Sequence, residues 1–228
     1  MPKDMNAETF KTAEGLIMPK DEDVLSPRMM RRLRRGLYEA KELAALKRLL
    51  KPDDRVLELG GGIGAISGFA GKRLNGGGLT VVEANPRLAD FIRRVHELND
   101  IASTVHHGAV TPKAGPDLEF HLRDDFIAAS LTADAAPVAE TISVPAVPIN
   151  DLIAEATPTV LISDIEGAEV DVFKVADLSE IRLVIVETHP QWIGPKGIRT
   201  IFDACHNAGL TYFHRGSEGK VICFRRDW

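Results

Sequence analysis

The sequence predicts an α/β fold with a mostly parallel sheet and helices on both of its faces. Short apolar segments at 55–59, 79–84 and 103–107 alternate with helical patterns at about 65–74 and 86–98. A strand–helix–strand order of this kind implies parallel strands joined by crossover helices. The same alternation resumes after residue 150 and continues the sheet.

The composition is that of an ordinary globular protein, with 228 residues, 44% hydrophobic and 27% charged. The net charge of −5 disfavours nucleic acid and anionic membranes as partners. Two cysteines, Cys205 and Cys223, are too few for a disulfide framework, so we expect reduced thiols and a cytoplasmic location. We expect no signal peptide in the polar N-terminus and no membrane span in the chain.

The first fifty residues predict an N-terminal arm and helix, and residues 51–228 the α/β domain. Residues 1–24 are polar and aperiodic, which indicates an arm or a loosely packed segment. Ser26 and Pro27 are typical of a helix start. Apolar residues at three- and four-residue steps then predict one continuous helix that ends at Pro52: Met30, Leu33, Leu37, Ala40, Ala44, Leu46 and Leu50.

The second half of the chain is less regular at first. Two segments, 118–126 and 141–147, look extended, and the Ala-rich stretch between them predicts a flexible loop or a short helix. The elements expected after them are a helix at 150–156, a strand at 159–164, a helix at 168–176, a strand at 181–188, a helix at 196–208 and a hairpin formed by 210–215 and 220–225.

Four predicted strands end in carboxylates, and none ends in lysine or arginine. The acids are Glu58, Glu83, Asp164 and Glu187. Ligands of open α/β sheets bind beyond the carboxyl ends of the strands, where the strand order reverses. A phosphate ligand requires cationic side chains there. Acceptors suit a ligand with ribose hydroxyls, an ammonium group and a second positive centre, and S-adenosylmethionine fits that description.

A glycine-rich turn follows the first of these strands. Gly60, Gly62 and Gly64 form G-x-G-x-G between strand and helix, and the same stretch satisfies the dinucleotide pattern G-x-G-x-x-A. Glu58 favours the methyl donor, because its charge would oppose a pyrophosphate. Glu83 suits ribose hydroxyls but does not discriminate, since NAD enzymes use the same device.

Three segments resemble known methyltransferase motifs. Residues 56–64, VLELGGGIG, and 82–86, VEANP, resemble the first two motifs of class I S-adenosylmethionine-dependent methyltransferases. Residues 162–169, ISDIEGAE, with VPINDLI upstream at 147–153, resemble the FkbM-type methyltransferases. The resemblance covers roughly 50–190. It implies a Rossmann-like, doubly wound seven-stranded sheet with an antiparallel last strand, and O-methylation of a hydroxyl on a sugar, polyketide or related small molecule.

The resemblance also implies residues that hold the cofactor. The methionine part would lie by Glu58, Gly60, Gly62 and Gly64, the ribose by Glu83, and the adenine by Gly108, Ala109 and Val110. Cofactor contacts are also predicted for Gly61, Ala84, Asn85 and Asp164.

The predicted catalytic residues are Asp164, His189 and Glu166. Asp164 is either a helix cap or a site residue, Glu166 a site residue or a solvated turn acid, and His189 a general base or a structural histidine. Glu169 is interpreted as an acid in the first turn of a helix, favourable at the positive end of the dipole. Asp164, Glu166 and His189 would suit a divalent ion, but no metal site is predicted.

Three alternatives to a small-molecule enzyme remain open. The first is an RNA methyltransferase that uses a basic run formed by Arg28, Arg31, Arg32, Arg34 and Arg35. The same run is otherwise a solvated helix face, or a contact with an acidic substrate or with another subunit in a homo-oligomer. A non-catalytic S-adenosylmethionine-binding module is the second alternative. An NAD-dependent oxidoreductase is disfavoured, because neither tyrosine belongs to a Tyr-x-x-x-Lys motif.

Overall fold

The computed structural model describes residues 8–76, 78–122 and 140–227. The helices are α1 (Pro27–Arg34), α2 (Ala40–Leu49), α3 (Ala65–Gly71), α4 (Pro86–Leu98), α5 (Ile149–Ala156), α6 (Glu169–Phe173) and α7 (Pro190–Asn207), the last broken at Gly194. The strands are β1 (Thr9–Lys11), β2 (Ile17–Pro19), β3 (Val56–Leu59), β4 (Leu79–Glu83), β5 (Thr104–His107), β6 (Ala109–Thr111), β7 (Leu118–Leu122), β8 (Glu140–Val144), β9 (Ala146–Pro148), β10 (Val160–Ser163), β11 (Leu183–Glu187), β12 (Thr211–Tyr212) and β13 (Val221–Arg225).

Seven strands form the central sheet, in the order β12-β13-β11-β10-β3-β4-β5. The five strands from β11 to β5 are parallel, while β13 is antiparallel to β11 and pairs with β12 as the predicted C-terminal hairpin. The predicted fold class is therefore confirmed. After β3 the chain adds β4 and β5 on one side of it, whereas after β10 it adds β11 on the opposite side. The strand order therefore reverses between β3 and β10.

Alternating strand residues build a core on each face of the sheet. Ile162 and Ile185 pack against α3 through Ile66, whereas the neighbouring Leu161 and Val184 pack on the opposite face. Because both faces are covered, the strands are apolar throughout rather than alternating with polar residues. None of the described helices combines the length and apolar character needed to cross a membrane.

The N-terminal segment is packed, so the prediction of a loose arm is wrong for residues 8–24. Strands β1 and β2 pair as an antiparallel hairpin, and Leu16 and Met18 are 2% and 0% exposed. A Cβ atom on Gly68 of α3 would lie 2.7 Å from Leu16, so the hairpin sits directly on that helix. A few apolar residues suffice for this contact but are too few to produce a periodic pattern.

The single helix predicted from Pro27 onward is also wrong, because it is divided into α1 and α2. Gly36 has a φ of +65°, its amide donates to the Leu33 carbonyl at 3.2 Å, and the Leu37 amide donates to the Arg32 carbonyl at 2.9 Å. This pattern is a glycine-terminated helix end. After it, Leu37 is 51% exposed and the buried stripe restarts in a different phase.

The extended segments predicted in the middle form two small sheets outside the central one. β7 and β8 pair antiparallel, and β6 and β9 pair parallel. Residues 123–139, with most of the predicted Ala-rich loop or helix, lie outside the described residues, as do residues 1–7.

The ends of β3 and β10 approach each other closely where the strand order reverses. The Asp164 amide donates to the Leu59 carbonyl at 2.9 Å. A Cβ atom on Gly60 would lie 1.9 Å from the Asp164 carbonyl oxygen. Only glycine is compatible with this contact.

We expect Gly60→Ala to destabilise the fold more than Gly76→Ala, which is a matched control. The two glycines have similar φ angles of +81° and +78°, but a Cβ atom on Gly76 meets nothing within 4 Å. The left-handed backbone alone costs about 1–2 kcal/mol in Gly76→Ala. The contact with Asp164 adds about 1–3 kcal/mol in Gly60→Ala. Urea unfolding followed by circular dichroism measures both, and equal losses would contradict the close approach.

Candidate active site

Three of the four strand-end acids line one cavity at the carboxyl edge of the sheet. Glu58, Asp164 and Glu187 face it together with Gly60 and Ser163, and its lining within the described chain includes no lysine or arginine. Glu58 is only 3% exposed, whereas Asp164 and Glu187 are half-buried. Burial raises the pKa of Glu58 to about 8. Burial, followed by the charges of Glu187 and Glu166, raises the pKa of Asp164 well above its usual range.

The fourth acid, Glu83, holds the glycine turn in place. Its Oε2 accepts a hydrogen bond from the Gly62 amide and its Oε1 one from the Asn85 amide, both at 2.8 Å. Burial raises the pKa of Glu83 to about 7. The carboxylate thus connects β4 to the turn that follows β3.

The predicted glycines have different surroundings. Gly60, Gly62 and Gly64 have φ angles of +81°, +52° and +73°, which explains the glycine pattern. A Cβ atom on Gly61 would lie 2.4 Å from Val81, so this residue packs against the core.

Other predicted cofactor-binding residues follow β4 and β5. Asn85 is fully buried, and its Oδ1 caps α4 by accepting from the Arg87 amide at 3.0 Å. Ala84 precedes it, while Ala109 and Val110 are buried in β6. The Gly108 amide donates to the Glu83 carbonyl at 3.0 Å, which sets β6 beside β4.

The polar groups at this edge fit S-adenosylmethionine. Eight buried side-chain atoms of the described residues have no hydrogen-bond partner, and four of them lie at this edge: Glu58 Oε2, Asn85 Nδ2, Ser163 Oγ and Asp164 Oδ1. Such atoms are costly unless a ligand or water satisfies them. The carboxylates of this cavity, with no lysine or arginine beside them in the lining, would repel a phosphate group. They suit the ammonium, sulfonium and ribose hydroxyls of the methyl donor. Glu58 and Asp164 would hold the methionine end, and Glu83 the ribose end.

A second cluster joins the three predicted catalytic residues. His189 is 3% exposed, and its Nε2 lies 3.5 Å from Asp164 Oδ1 and 3.6 Å from Glu166 Oε2. The ring of Trp192 stacks on the imidazole at a centroid distance of 5.0 Å. Asp164 belongs to both this cluster and the cavity above, so the two sites are adjacent.

Glu169 has a different role from the predicted one. It does begin α6, but its side chain is fully buried and its Oε1 lies 2.7 Å from His189 Nδ1. The Glu169 carboxylate therefore holds the imidazole of His189 in position. The predicted interaction with the helix dipole accounts for only part of its role. Twenty residues separate the two partners, so no local pattern reveals the contact.

Burial and the surrounding charges shift the pKa of His189 in opposite directions. Burial lowers the pKa of His189, but the hydrogen bond and charge of Glu169, with the charges of Asp164 and Glu166, outweigh it and the net shift is upward. Ligand atoms of Asp164, Glu166 and His189 lie within 4.8 Å of one another, a donor set that also suits a divalent cation. Glu166 has a φ of +52°, in the left-handed region.

Sequence reasoning missed three residues of the N-terminal segment. Glu39 and Glu42 line the same cavity as Glu58. Tyr38 is buried, and its hydroxyl lies 3.8 Å from the position of a Cβ atom on Gly62. The predicted continuous helix would have hidden this convergence, and no local motif marks it.

Comparisons with solved structures find distant resemblances. The precorrin-6y C5,15-methyltransferase from Geobacter metallireducens is 13% identical, with a TM-score of 0.49 and coverage of 91% of this chain and 96% of that one. The O-methyltransferase from Bacillus cereus in complex with SAH is 12% identical, with a TM-score of 0.47 and coverages of 91% and 92%. The tRNA (uracil-54, C5)-methyltransferase of Pyrococcus abyssi is 9% identical, with a TM-score of 0.49 and coverages of 96% and 43%.

Sequence comparison gives the family. No curated protein sequence matches significantly. The family model for the methyltransferase FkbM domain matches residues 58–209, well over half of the chain. The chain therefore belongs to the FkbM methyltransferase family, and its cofactor is S-adenosylmethionine.

Proposed function

We propose that the protein transfers the methyl group of S-adenosylmethionine to a hydroxyl group on a small molecule or sugar. The observation that carries this proposal is the Glu169–His189 pair, which directs the imidazole Nε2 towards Asp164 and Glu166 beside the cofactor cavity. A hydroxyl acceptor must lose its proton during methyl transfer, and these residues supply a base where the acceptor would bind.

The chain contributes mainly orientation and proton transfer. S-adenosylmethionine supplies a methyl group already activated by its sulfonium. Asp164 has its backbone against Gly60 and its side chain near His189, so it links the donor and acceptor positions. Holding two reactants in line can lower the barrier by about 7–11 kcal/mol.

His189 is the proposed general base. When Nδ1–H donates to Glu169, the proton of the neutral ring is on Nδ1 and the lone pair is on Nε2. Nε2 then accepts the hydroxyl proton, and Glu169 stabilises the resulting imidazolium. Asp164 and Glu166 receive the acceptor hydroxyl by hydrogen bonds.

The proposal favours a small molecule over RNA. Acids line the cavity, so a phosphate backbone would be repelled there. Two arginines of the basic run are engaged locally, since Arg34 lies 4.9 Å above the ring of Phe10 and Arg32 donates to the Leu37 carbonyl at 2.9 Å.

Ligand binding and methyl transfer can be measured directly. Isothermal titration should show binding of S-adenosylmethionine and S-adenosylhomocysteine but not of NAD. With radiolabelled donor, label should be transferred to members of a panel of hydroxylated sugars and polyketides and not to RNA. Binding without transfer to any acceptor would support the non-catalytic alternative, and transfer to RNA that falls steeply with salt would support the RNA alternative.

The role of His189 as the general base can be tested through its titration. In an NMR titration, the His189 ring should titrate above the ordinary histidine value of about 6.5, and Glu169→Gln should move the midpoint to lower pH. The sign follows because Glu169 stabilises the protonated ring. The rate of methyl transfer should rise as pH passes the His189 pKa, and His189→Asn should lower the rate by about 10²–10⁴-fold.

A cation experiment distinguishes the base from a metal ligand. Millimolar Mg²⁺ should leave the His189 titration unchanged, and Mn²⁺ should not selectively broaden its resonances. If Mn²⁺ does so in the wild type but not in Asp164→Asn, His189 is a cation ligand and the general-base role is wrong.

The free energy of unfolding of the ligand-free protein should depend on pH through Glu58. Burial raises the pKa of Glu58 to about 8, while an unfolded glutamate titrates near 4.3. The folded state therefore binds the proton more tightly, and stability falls as pH rises from about 5 to 8, by up to about 1.4 kcal/mol per pH unit for each such group. Glu58→Gln should flatten the decline in urea unfolding, whereas the exposed Glu97→Gln should not; an unchanged slope in Glu58→Gln would contradict the burial effect.

A further inference from the structure

We infer that Glu39, in the turn between α1 and α2, binds the α-ammonium group of S-adenosylmethionine together with Glu42 and Glu58. The N-terminal segment would thereby complete the cofactor site. This inference rests on the proposed function, because it concerns the same methyl donor. Glu39 and Glu42 precede residues 58–209, the part matched by the family model, so family membership does not assign them.

The N-terminal segment contributes to the lining of the cavity at the strand ends. The acids of this cavity come from two directions: Glu58, Asp164 and Glu187 from the sheet, and Glu39 and Glu42 from the turn and α2. No lysine or arginine of the described chain lines it. Five carboxylates around one cavity repel each other unless protons or a cation compensate them.

Two buried polar groups support the binding of a ligand in this cavity. Glu58 and Ser163 are 3% and 1% exposed. Glu58 Oε2 and Ser163 Oγ have no hydrogen-bond partner among the described residues, and both residues line the cavity. A ligand that donates several N–H bonds would satisfy them, as an ammonium group does.

The conformation of Glu39 is unusual for its residue type. It precedes α2 with φ +44° and ψ +40°, and its side chain makes no capping hydrogen bond. Glycine or asparagine adopts this conformation at lower cost. The side chain of Glu39 therefore does not cap the start of α2. It accepts a hydrogen bond from the Tyr38 side chain and lines the cavity.

The acids proposed to bind the ammonium differ from the group that suits a metal ion. Within the described chain, the ligand atoms that converge closely enough for one ion belong to Asp164, Glu166 and His189. Glu39, Glu42 and Glu58 are not members of that group.

The experiment compares two ligands that differ in the amino-acid part. S-adenosylhomocysteine carries the ammonium group, and 5′-methylthioadenosine lacks it. In isothermal titration, Glu39→Gln should weaken S-adenosylhomocysteine about tenfold or more, while 5′-methylthioadenosine should bind as to the wild type within about twofold. Decarboxylated S-adenosylmethionine, which keeps the ammonium and lacks the carboxylate, should be weakened like S-adenosylhomocysteine.

Controls separate the inference from a folding effect and from the proposed function. Glu97→Gln, an exposed glutamate on α4, should bind all three ligands normally. Glu39→Gly removes the carboxylate and relieves the left-handed strain, so it should fold at least as stably and still lose the ammonium-bearing ligands. Unchanged affinity for S-adenosylhomocysteine in Glu39→Gln, or equal loss of 5′-methylthioadenosine, would overturn the inference while leaving the function intact. A wild type that binds none of the ligands would overturn both.

Discussion

The contact between the ends of β3 and β10 is the constraint on which the site depends. Gly60 and the Asp164 carbonyl are too close for any side chain at position 60. Parallel strands on either side of a reversal in strand order leave a crevice between their following loops. Here the two loops touch at their base, so the glycine turn and the acids after β10 have a defined relative position. The proposed cofactor and acceptor positions share Asp164 for this reason.

The acids around this contact create an electrostatic problem that the chain solves in two ways. On the cofactor side, burial favours protonated carboxyl groups, as the raised pKa of Glu58 shows. On the acceptor side, His189 lies between Glu169, Asp164 and Glu166 and compensates them when protonated. His189 Nε2 lies 3.5 Å from Asp164 Oδ1, so the protonated ring is an ionic partner for Asp164 within the chain. A cationic cofactor would compete for the same negative charge, so we expect donor binding to influence the protonation state of His189 through Asp164.

Sequence reasoning succeeded where the signal is local or periodic. The apolar strand at Leu183–Glu187 and the start of α4 at Pro86 are examples. It failed where the decisive contact is distant, as for Glu169 with His189 and for Tyr38 over Gly62. It also failed at Gly36, because the apolar spacing across α1 and α2 obscured a helix-ending glycine. The site residues taken from the family resemblance remain predictions, although most of them lie at the same edge of the sheet.

The break at Gly36 has a consequence for the boundary predicted at residue 50. A continuous helix from Pro27 to Leu49 would carry positions 37–39 through regular helical turns. Two helices instead allow Glu39 a left-handed backbone and a place on the cavity with Glu58. Tyr38 covers the glycine turn from the same side. The division at residue 50 stays a prediction about folding units, but the chemistry does not follow it, because the cavity takes its acids from both parts of the chain.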